Sequence, residues 1–283
     1  MQVCLFVNSE CNARCKHCCL SYSGSRDPED SLKIVKQLRD NRHKVIIAGS
    51  EILLNPEYLK SYQRAGQNYL LTNGIILDRD KATYDLLRKH GIEELGLSIH
   101  FGIQRDLGSV PEDLVVRVIK ESRRREFRIK ITTTITSGNY SIIEQMCEKA
   151  TGLDAYMIQF FRFVSIGRGN TRGELALSPE QVDEFFAQVE ELRKKYPKSI
   201  LEIRPHGNFG PRPGSKGERL AKKNRYCPAG KDLVVIDSQN RVYGCPFCMS
   251  PENVIGRYED GKIVIERGIL KGKRDTCIAH LLI

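Results

Sequence analysis

Six short apolar runs recur through the first two-thirds of the chain: Val3–Val7, Val45–Ile47, Tyr69–Leu71, Leu95–Ile99, Ile129–Ile135 and Tyr156–Phe161. Amphipathic stretches separate them. Leu32, Val35 and Leu38 share one helical face, and further helices are expected near 57–66, 78–90, 111–125 and 141–150. Strand–helix alternation repeated about six times gives parallel strands joined by crossover helices. The fold class predicted is α/β, a partial (β/α)6 TIM-like barrel. A helix over 179–195 follows, with Ser178 as cap, Pro179 in its first turn and Gln181 completing a capping box. Its Val182, Phe185, Phe186, Val189 and Leu192 form a core face.

After residue 205 the character changes. Residues 206–226 are rich in Gly and Pro and read as a linker. Two β-branched runs around a polar turn within 233–244 then read as a hairpin. The predicted organisation is a barrel over 1–205, a linker over 206–226, and a small domain of hairpin plus helix over 227–283.

Polar and small residues follow the strands in order. The first is trailed by a cysteine loop, the second by Gly49, Ser50 and Glu51, the third by Thr72, Asn73 and Gly74. Ser98 and His100 close the fourth, Thr133 and Thr134 lie late in the fifth, and Gly167-Arg168-Gly169 follows the sixth. In parallel α/β folds the loops at the carboxyl ends of strands build the binding rim. These residues are therefore expected on one rim.

The chain has ten cysteines and no visible export signal, so a cytoplasmic, reducing setting is expected, where clustered thiols ligate metal more often than they form disulfides. Cys11-x3-Cys15-x2-Cys18 places three thiols in one short loop. A zinc site usually shows two close pairs. Three thiolates leave a cubane cluster with one open iron, whereas an electron-transfer cluster normally takes four cysteines.

That loop resembles the CxxxCxxC signature of radical S-adenosylmethionine (radical SAM) enzymes, and the resemblance extends over most of the chain. It implies a [4Fe-4S] cluster on Cys11, Cys15 and Cys18. SAM binds the open iron, and one electron from the cluster yields a 5′-deoxyadenosyl radical that abstracts a substrate hydrogen. Gly49, Ser50 and Glu51 resemble the family's "GGE" stretch at the SAM amino group, with Ser50 in place of the second glycine. Thr72 and Asn73 resemble the segment after strand three, Ser98 and His100 the ribose-contacting position, and His17 a position near adenine. The glycine turn at 167–169 resembles the one after strand six.

Cys227, Cys245, Cys248 and Cys277 flank the hairpin and resemble the start of the twitch or SPASM extensions, which carry an auxiliary cluster; four thiols match one auxiliary [4Fe-4S] cluster. A four-cysteine zinc site is the alternative. Cys4 and Cys147 read as small core residues. Cys19 reads as a packed thiol, with a hydrogen-atom donor to the substrate radical as the other reading.

The resemblance implies an oxidoreductase or isomerase acting on a peptide by crosslinking, epimerisation or oxidation. Its expected partners are SAM, a one-electron reductant such as flavodoxin or ferredoxin, and a separate leader-recognition protein, since the chain starts almost at its first strand. Alternatives are a small-molecule dehydrogenase, a nucleic-acid-modifying radical SAM enzyme favoured by the formal charge of +10, and a zinc-binding protein without catalysis. No aromatic residues interleave with the basic runs to stack bases. Arg204, His206 and the basic 216–225 segment, with Lys222 and Lys223, are expected to hold an acidic peptide. No run is long enough to span a membrane.

Overall fold

The computed structural model describes residues 1–20, 23–108, 110–211, 219, 226–268 and 277. The elements in chain order are β1 (Gln2–Phe6), α1 (Pro28–Asp40), β2 (Lys44–Ala48), α2 (Leu59–Ala65), β3 (Tyr69–Thr72), α3 (Ile75–Arg79), α4 (Thr83–Lys89) and β4 (Glu94–Ser98). They continue with α5 (Glu112–Arg124), β5 (Arg128–Ile135), α6 (Ile143–Gly152), β6 (Met157–Arg162), α7 (Pro179–Lys195) and β7 (Glu202–Pro205). Four strands close the described chain, β8 (Leu233–Ile236), β9 (Arg241–Tyr243), β10 (Val254–Glu259) and β11 (Lys262–Ile265). The expected α/β class is what the chain adopts.

Two compact units are present. The first joins Met1–Asn12, Cys19–Asn68 and Gly210–Ile283; the second joins Ala13–Cys18 and Tyr69–Phe209.

The first unit holds a six-stranded sheet in the order β11-β10-β9-β8-β1-β2. β1 pairs in parallel with both β2 and β8, and the pairs β8–β9, β9–β10 and β10–β11 are antiparallel. The expected hairpin is thus β8–β9, and two further strands extend it. Asp237 organises its turn. This wholly buried carboxylate accepts from the backbone N–H groups of Gln239 and Arg241 (both 2.9 Å), the Arg241 Nε–H (2.7 Å) and the Tyr243 hydroxyl (3.1 Å). Beyond β11 only Gly268 and the residues leading to it, and Cys277, are described, so the expected C-terminal helix and the basic run 271–274 lie outside the described residues.

β2 ends that sheet instead of pairing with β3. The Gln67 side chain takes the vacant place: its Oε1 accepts from the Ile47 N–H (2.8 Å) and its Nε2 donates to the Ile47 carbonyl (3.3 Å). One buried amide thereby satisfies the edge that a third strand would otherwise fill.

The second unit holds five parallel strands, β3-β4-β5-β6-β7. Leu70, Leu95, Leu97, Ile129, Ile131, Ile158 and Phe160 are fully buried on one face. Helices cover them: Leu97 and Val118 of α5 meet over Gly74, and Phe160 sits edge-on to Phe185 of α7 at 5.5 Å. α7 spans the predicted residues, with both halves of its capping box formed. The helix predicted over 78–90 is instead two, because the Asp80 carboxylate accepts from the Ala82 N–H (3.0 Å) and the Thr83 hydroxyl (2.9 Å) and starts a new helix. β7 carries Glu202 and Arg204 in four residues, too short and too charged to read as a strand.

Candidate functional site

In the first unit, β1 and β2 run side by side and their carboxyl ends emerge together. Asn8, two residues past β1, binds the turn that follows β2. Its Nδ2 donates to the Glu51 carbonyl (3.1 Å), and its side-chain and backbone oxygens both accept from the Ser50 N–H (3.1 Å each). The Glu10 carbonyl accepts from the Glu51 N–H at 2.9 Å. Gly49 is obligatory: a Cβ there would stand 2.2 Å from Asn8 Oδ1 and 2.8 Å from Ile52 Cδ1. The Glu51 side chain is fully buried, and its Oε1 accepts from the Leu53 N–H at 3.3 Å, capping a short 3-10 turn. Gly49, Ser50 and Glu51 thus form one rigid turn docked on residues 8–10, directly before Cys11.

No disulfide joins any of the ten cysteines. Cys11 is exposed in the first unit; Cys15 and Cys18 are half-buried in the second. The loop backbone is pinned within the second unit, where the Lys16 N–H donates to the Leu107 carbonyl (2.8 Å) and the Arg168 N–H donates to the Cys18 carbonyl (2.9 Å). The latter contact is what the turn at 167–169 does. The Cys18 N–H closes a turn onto Cys15 (3.3 Å). Among the described residues no three Cys, His, Asp or Glu side chains converge as a single bound ion requires. A cubane binds each thiolate through a different iron and so takes thiols farther apart than a single ion does, and three soft thiols within eight residues are the donor set it binds. Cys19 is half-buried in the first unit and is not placed by these contacts in any role.

His17 lies edge-on to His100, ring centroids 4.2 Å apart, and its Nδ1 is buried without a partner. Burial, with the nearby Arg168 charge, lowers the His17 imidazole to about 4. His100 is buried and held well below the ordinary histidine range by burial and by His17; its Nδ1 accepts from the Thr134 N–H at 3.1 Å, so it is a neutral ring. Ser98 and Thr132 share a hydroxyl–hydroxyl hydrogen bond of 3.0 Å. Thr133 Oγ1 is buried without a partner. Thr72 and Asn73 accept from the N–H groups of Gly74 (3.1 Å) and Ile75 (2.9 Å), starting α3. The second unit therefore brings His17, Ser98, His100, Thr132 and Thr134 to the carboxyl ends of β4 and β5.

Cys227, Cys245, Cys248 and Cys277 are all buried in the first unit. A thiol–thiol hydrogen bond to Cys248, with burial, pushes Cys245 well up. Burial, with Cys277 and Cys227, raises the Tyr226 hydroxyl to about 12. Cys4, in β1, is raised to about 12 by burial and by Cys245. Cys147 is buried in α6, as a core residue should be.

Arg204 is exposed on β7, and His206 stacks on Phe161 with centroids 4.5 Å apart. Apart from Arg219, the 216–225 segment with Lys222 and Lys223 lies outside the described residues. Sequence reasoning passed over Asn8 and Gln67. Asn8 had a signal, a polar residue at the carboxyl end of a strand; Gln67 had none.

A family model described as the Radical SAM superfamily matches residues 6–150. The mycofactocin maturase MftC of Mycobacterium tuberculosis is 25% identical over 262 residues, 87% of this chain and 64% of MftC. The putative peptide biosynthesis protein YydG of Bacillus subtilis is 22% identical over 200 residues, 65% of this chain and 60% of YydG. The chain thus spans under two-thirds of the length of these relatives. The crystal structure of Streptococcus suis SuiB bound to precursor peptide SuiA superposes with a TM-score of 0.69 at 14% identity, over 92% of this chain and 62% of SuiB; the two share a fold. No helix among the described residues is long and apolar enough to cross a membrane.

Proposed function

The chain belongs to the radical SAM superfamily, and we propose that it is a peptide-modifying member, taking a hydrogen atom from a peptide to begin a crosslinking, epimerisation or oxidation. One observation carries this reading. The three-thiol loop leaves β1 directly after Asn8 and Glu10, the residues that clamp the Gly49–Glu51 turn. A peptide substrate is supported by three likenesses, to a maturase, to a putative peptide biosynthesis protein and to a fold seen bound to a precursor peptide.

Cys11, Cys15 and Cys18 would hold the cluster. With SAM bound, it supplies one electron and so a 5′-deoxyadenosyl radical. The chain's own residues do the positioning. The turn at Gly49, Ser50 and Glu51 offers rigid backbone groups to the SAM amino group, fixed in advance by Asn8. His17 and His100, neutral rings held by burial, offer a face and nitrogen atoms to the nucleoside without a competing positive charge. Ser98 lies beside them on β4, and Thr72 and Asn73 fix the start of α3.

Cys227, Cys245, Cys248 and Cys277, in the region 227–283 beyond the barrel over 1–205 and the linker over 206–226, are the ligand set for an auxiliary [4Fe-4S] cluster. Such a cluster would supply a one-electron acceptor for an oxidation. A one-electron reductant and a separate leader-recognition protein complete the scheme, in the cytoplasm. Cys19 is an additional hydrogen-donor candidate for an epimerisation.

Anaerobic reconstitution tests this. About eight irons per chain are expected with both clusters, and about four after replacing Cys245 and Cys248 by alanine. Dithionite and SAM should then release 5′-deoxyadenosine, and a short peptide encoded beside the gene should change mass. An intact cluster that leaves SAM uncleaved overturns the reading, as does a colourless protein holding zinc and no sulfide.

A further inference from the structure

A parallel sheet is normally covered on both faces. The register of the second unit's sheet sorts its residues onto two faces, and they differ sharply. The helix-covered face is buried and apolar. The other carries, row by row, Tyr69, Glu94 and Arg128; then Leu71, Gly96, Lys130, Met157 and Glu202; then Ser98, Thr132, Gln159 and Arg204. This face is polar and only partly exposed: Leu71 on β3 is 47% exposed and the Arg128 and Arg204 side chains 59% and 51%, whereas Gly96, Thr132 and Met157 are buried.

The charges on this face are unequal. Three cations, Arg128, Lys130 and Arg204, stand against two carboxylates, Glu94 and Glu202. Glu202 is engaged by Arg204 (Nε to Oε1, 3.1 Å) and approached by Lys198 (3.7 Å). Glu94 is shared between Arg128 (3.9 Å), Lys130 (3.8 Å) and the Tyr156 hydroxyl, the two cations lying beyond hydrogen-bonding distance. Lys130 is the outlier. Its side chain is only 12% exposed, its ammonium lies 5.1 Å from the Tyr69 ring centroid, and its stem lies against Gly96. A Cβ at position 96 would stand 3.3 Å from Lys130 Cε and 2.2 Å from Leu71 Cδ2, so glycine keeps the place in which the stem lies flat. Burial lowers the Lys130 pKa; Glu94 acts against that shift and Arg204 adds to it. A half-desolvated ammonium with one long ion pair and one ring contact, on a net-positive face, is matched by a second carboxylate.

We propose that this polar sheet face reads the substrate peptide, with Lys130, and with Arg204 on the same face, pairing with an Asp or Glu side chain of that peptide. The inference rests on the peptide reading above and specifies which peptide segment the site takes.

The test is fluorescence anisotropy on the reconstituted full chain. The probes are labelled decapeptide pools, random except for a fixed central Glu, Gln or Lys. Wild type should bind the Glu pool about tenfold more tightly than the Gln pool, the worth of one partly desolvated ion pair. Lys130→Met, which keeps the stem, should erase most of that preference, and Lys130→Arg should retain it. Arg204→Gln, at an exposed position, should weaken it in part. Equal binding of Glu and Gln pools by wild type, or an undiminished preference in Lys130→Met, overturns the proposal. Should Lys130→Met not fold, an unchanged preference in Arg204→Gln together with loss in Lys130→Arg overturns it equally. Release of 5′-deoxyadenosine is scored separately. Selective binding without SAM cleavage defeats the functional reading alone, and SAM cleavage with unselective binding defeats the inference alone.

Discussion

Gly49→Ala is expected to act through Asn8, and a double-mutant cycle makes that measurable. The added methyl would stand 2.2 Å from Asn8 Oδ1, a distance no Cβ tolerates, and 2.8 Å from the rotatable end of Ile52. The amide of Asn8 must move, and with it go the bonds to Ser50 and Glu51. Asn8 is buried, so two lost hydrogen bonds cost about 2–3 kcal/mol, the Glu51 carbonyl keeping only the Leu54 N–H at 3.4 Å. Repacking at Ile52 adds about 1 kcal/mol, bringing Gly49→Ala to about 3–4 kcal/mol. Asn8→Ala alone should cost about 2–3 kcal/mol, since the Ser50 N–H keeps its bond to the Asn8 backbone oxygen. The double variant should cost little more than Gly49→Ala, because the side chain being struck is gone. That is a coupling of about 2 kcal/mol, readable from urea unfolding followed by circular dichroism at unchanged m-value. Costs that add to within about 0.5 kcal/mol would refute the clamp. Under the proposed function, both single variants should also bind SAM more weakly.

Gln67→Leu should destabilise by about 2–4 kcal/mol and speed hydrogen exchange at the Ile47 amide, since leucine fills the space but leaves the N–H and carbonyl of Ile47 unpaired; an unchanged exchange rate would refute the edge role. Asp237→Ala should cost about 3–5 kcal/mol in urea unfolding, because it strands the Arg241 guanidinium and the Tyr243 hydroxyl. His206, lowered by burial, is neutral in the folded state. The unfolded ring takes a proton near about pH 6.5, so stability is full above that pH and falls as the pH drops below it. His206→Phe should flatten that slope between about pH 5 and 7 in urea midpoints, and a parallel profile would exclude the assignment.

Features written in contiguous residues were legible before the fold was seen. The α7 capping box depends on Ser178 and Gln181 three positions apart, and the cysteine spacing falls within eight residues, so local rules suffice. The strands of the second unit were legible as apolar runs, but which face of β3 to β7 the helices leave uncovered was not. The alternation of Leu95 with Glu94 and of Ile131 with Lys130 acquires meaning only once the helices choose a side. The break between β2 and β3 depends on Gln67, a polar residue in a turn like any other until its amide is seen against Ile47. The helix over 78–90 was divided by Asp80, whose competing side-chain bonds no apolar periodicity reveals.

The placement of β1 between β2 and β8 has a consequence in time. On the ribosome β2 follows β1 within about 40 residues, but β8 emerges about 230 residues after its partner. At about 5–20 residues per second, the second edge of β1 waits some 10–50 s for its hydrogen bonds. The five strands of the other sheet are complete by Pro205, well before Leu233 is made. The unit whose first strand is synthesised first is therefore the one that finishes last, and a nascent chain that has emerged from the ribosome only as far as residues 206–232 would hold a complete ladder over 69–205 beside an apolar strand with one bare edge. Such a chain is open to wrong pairing, and it is where a chaperone would find its grip.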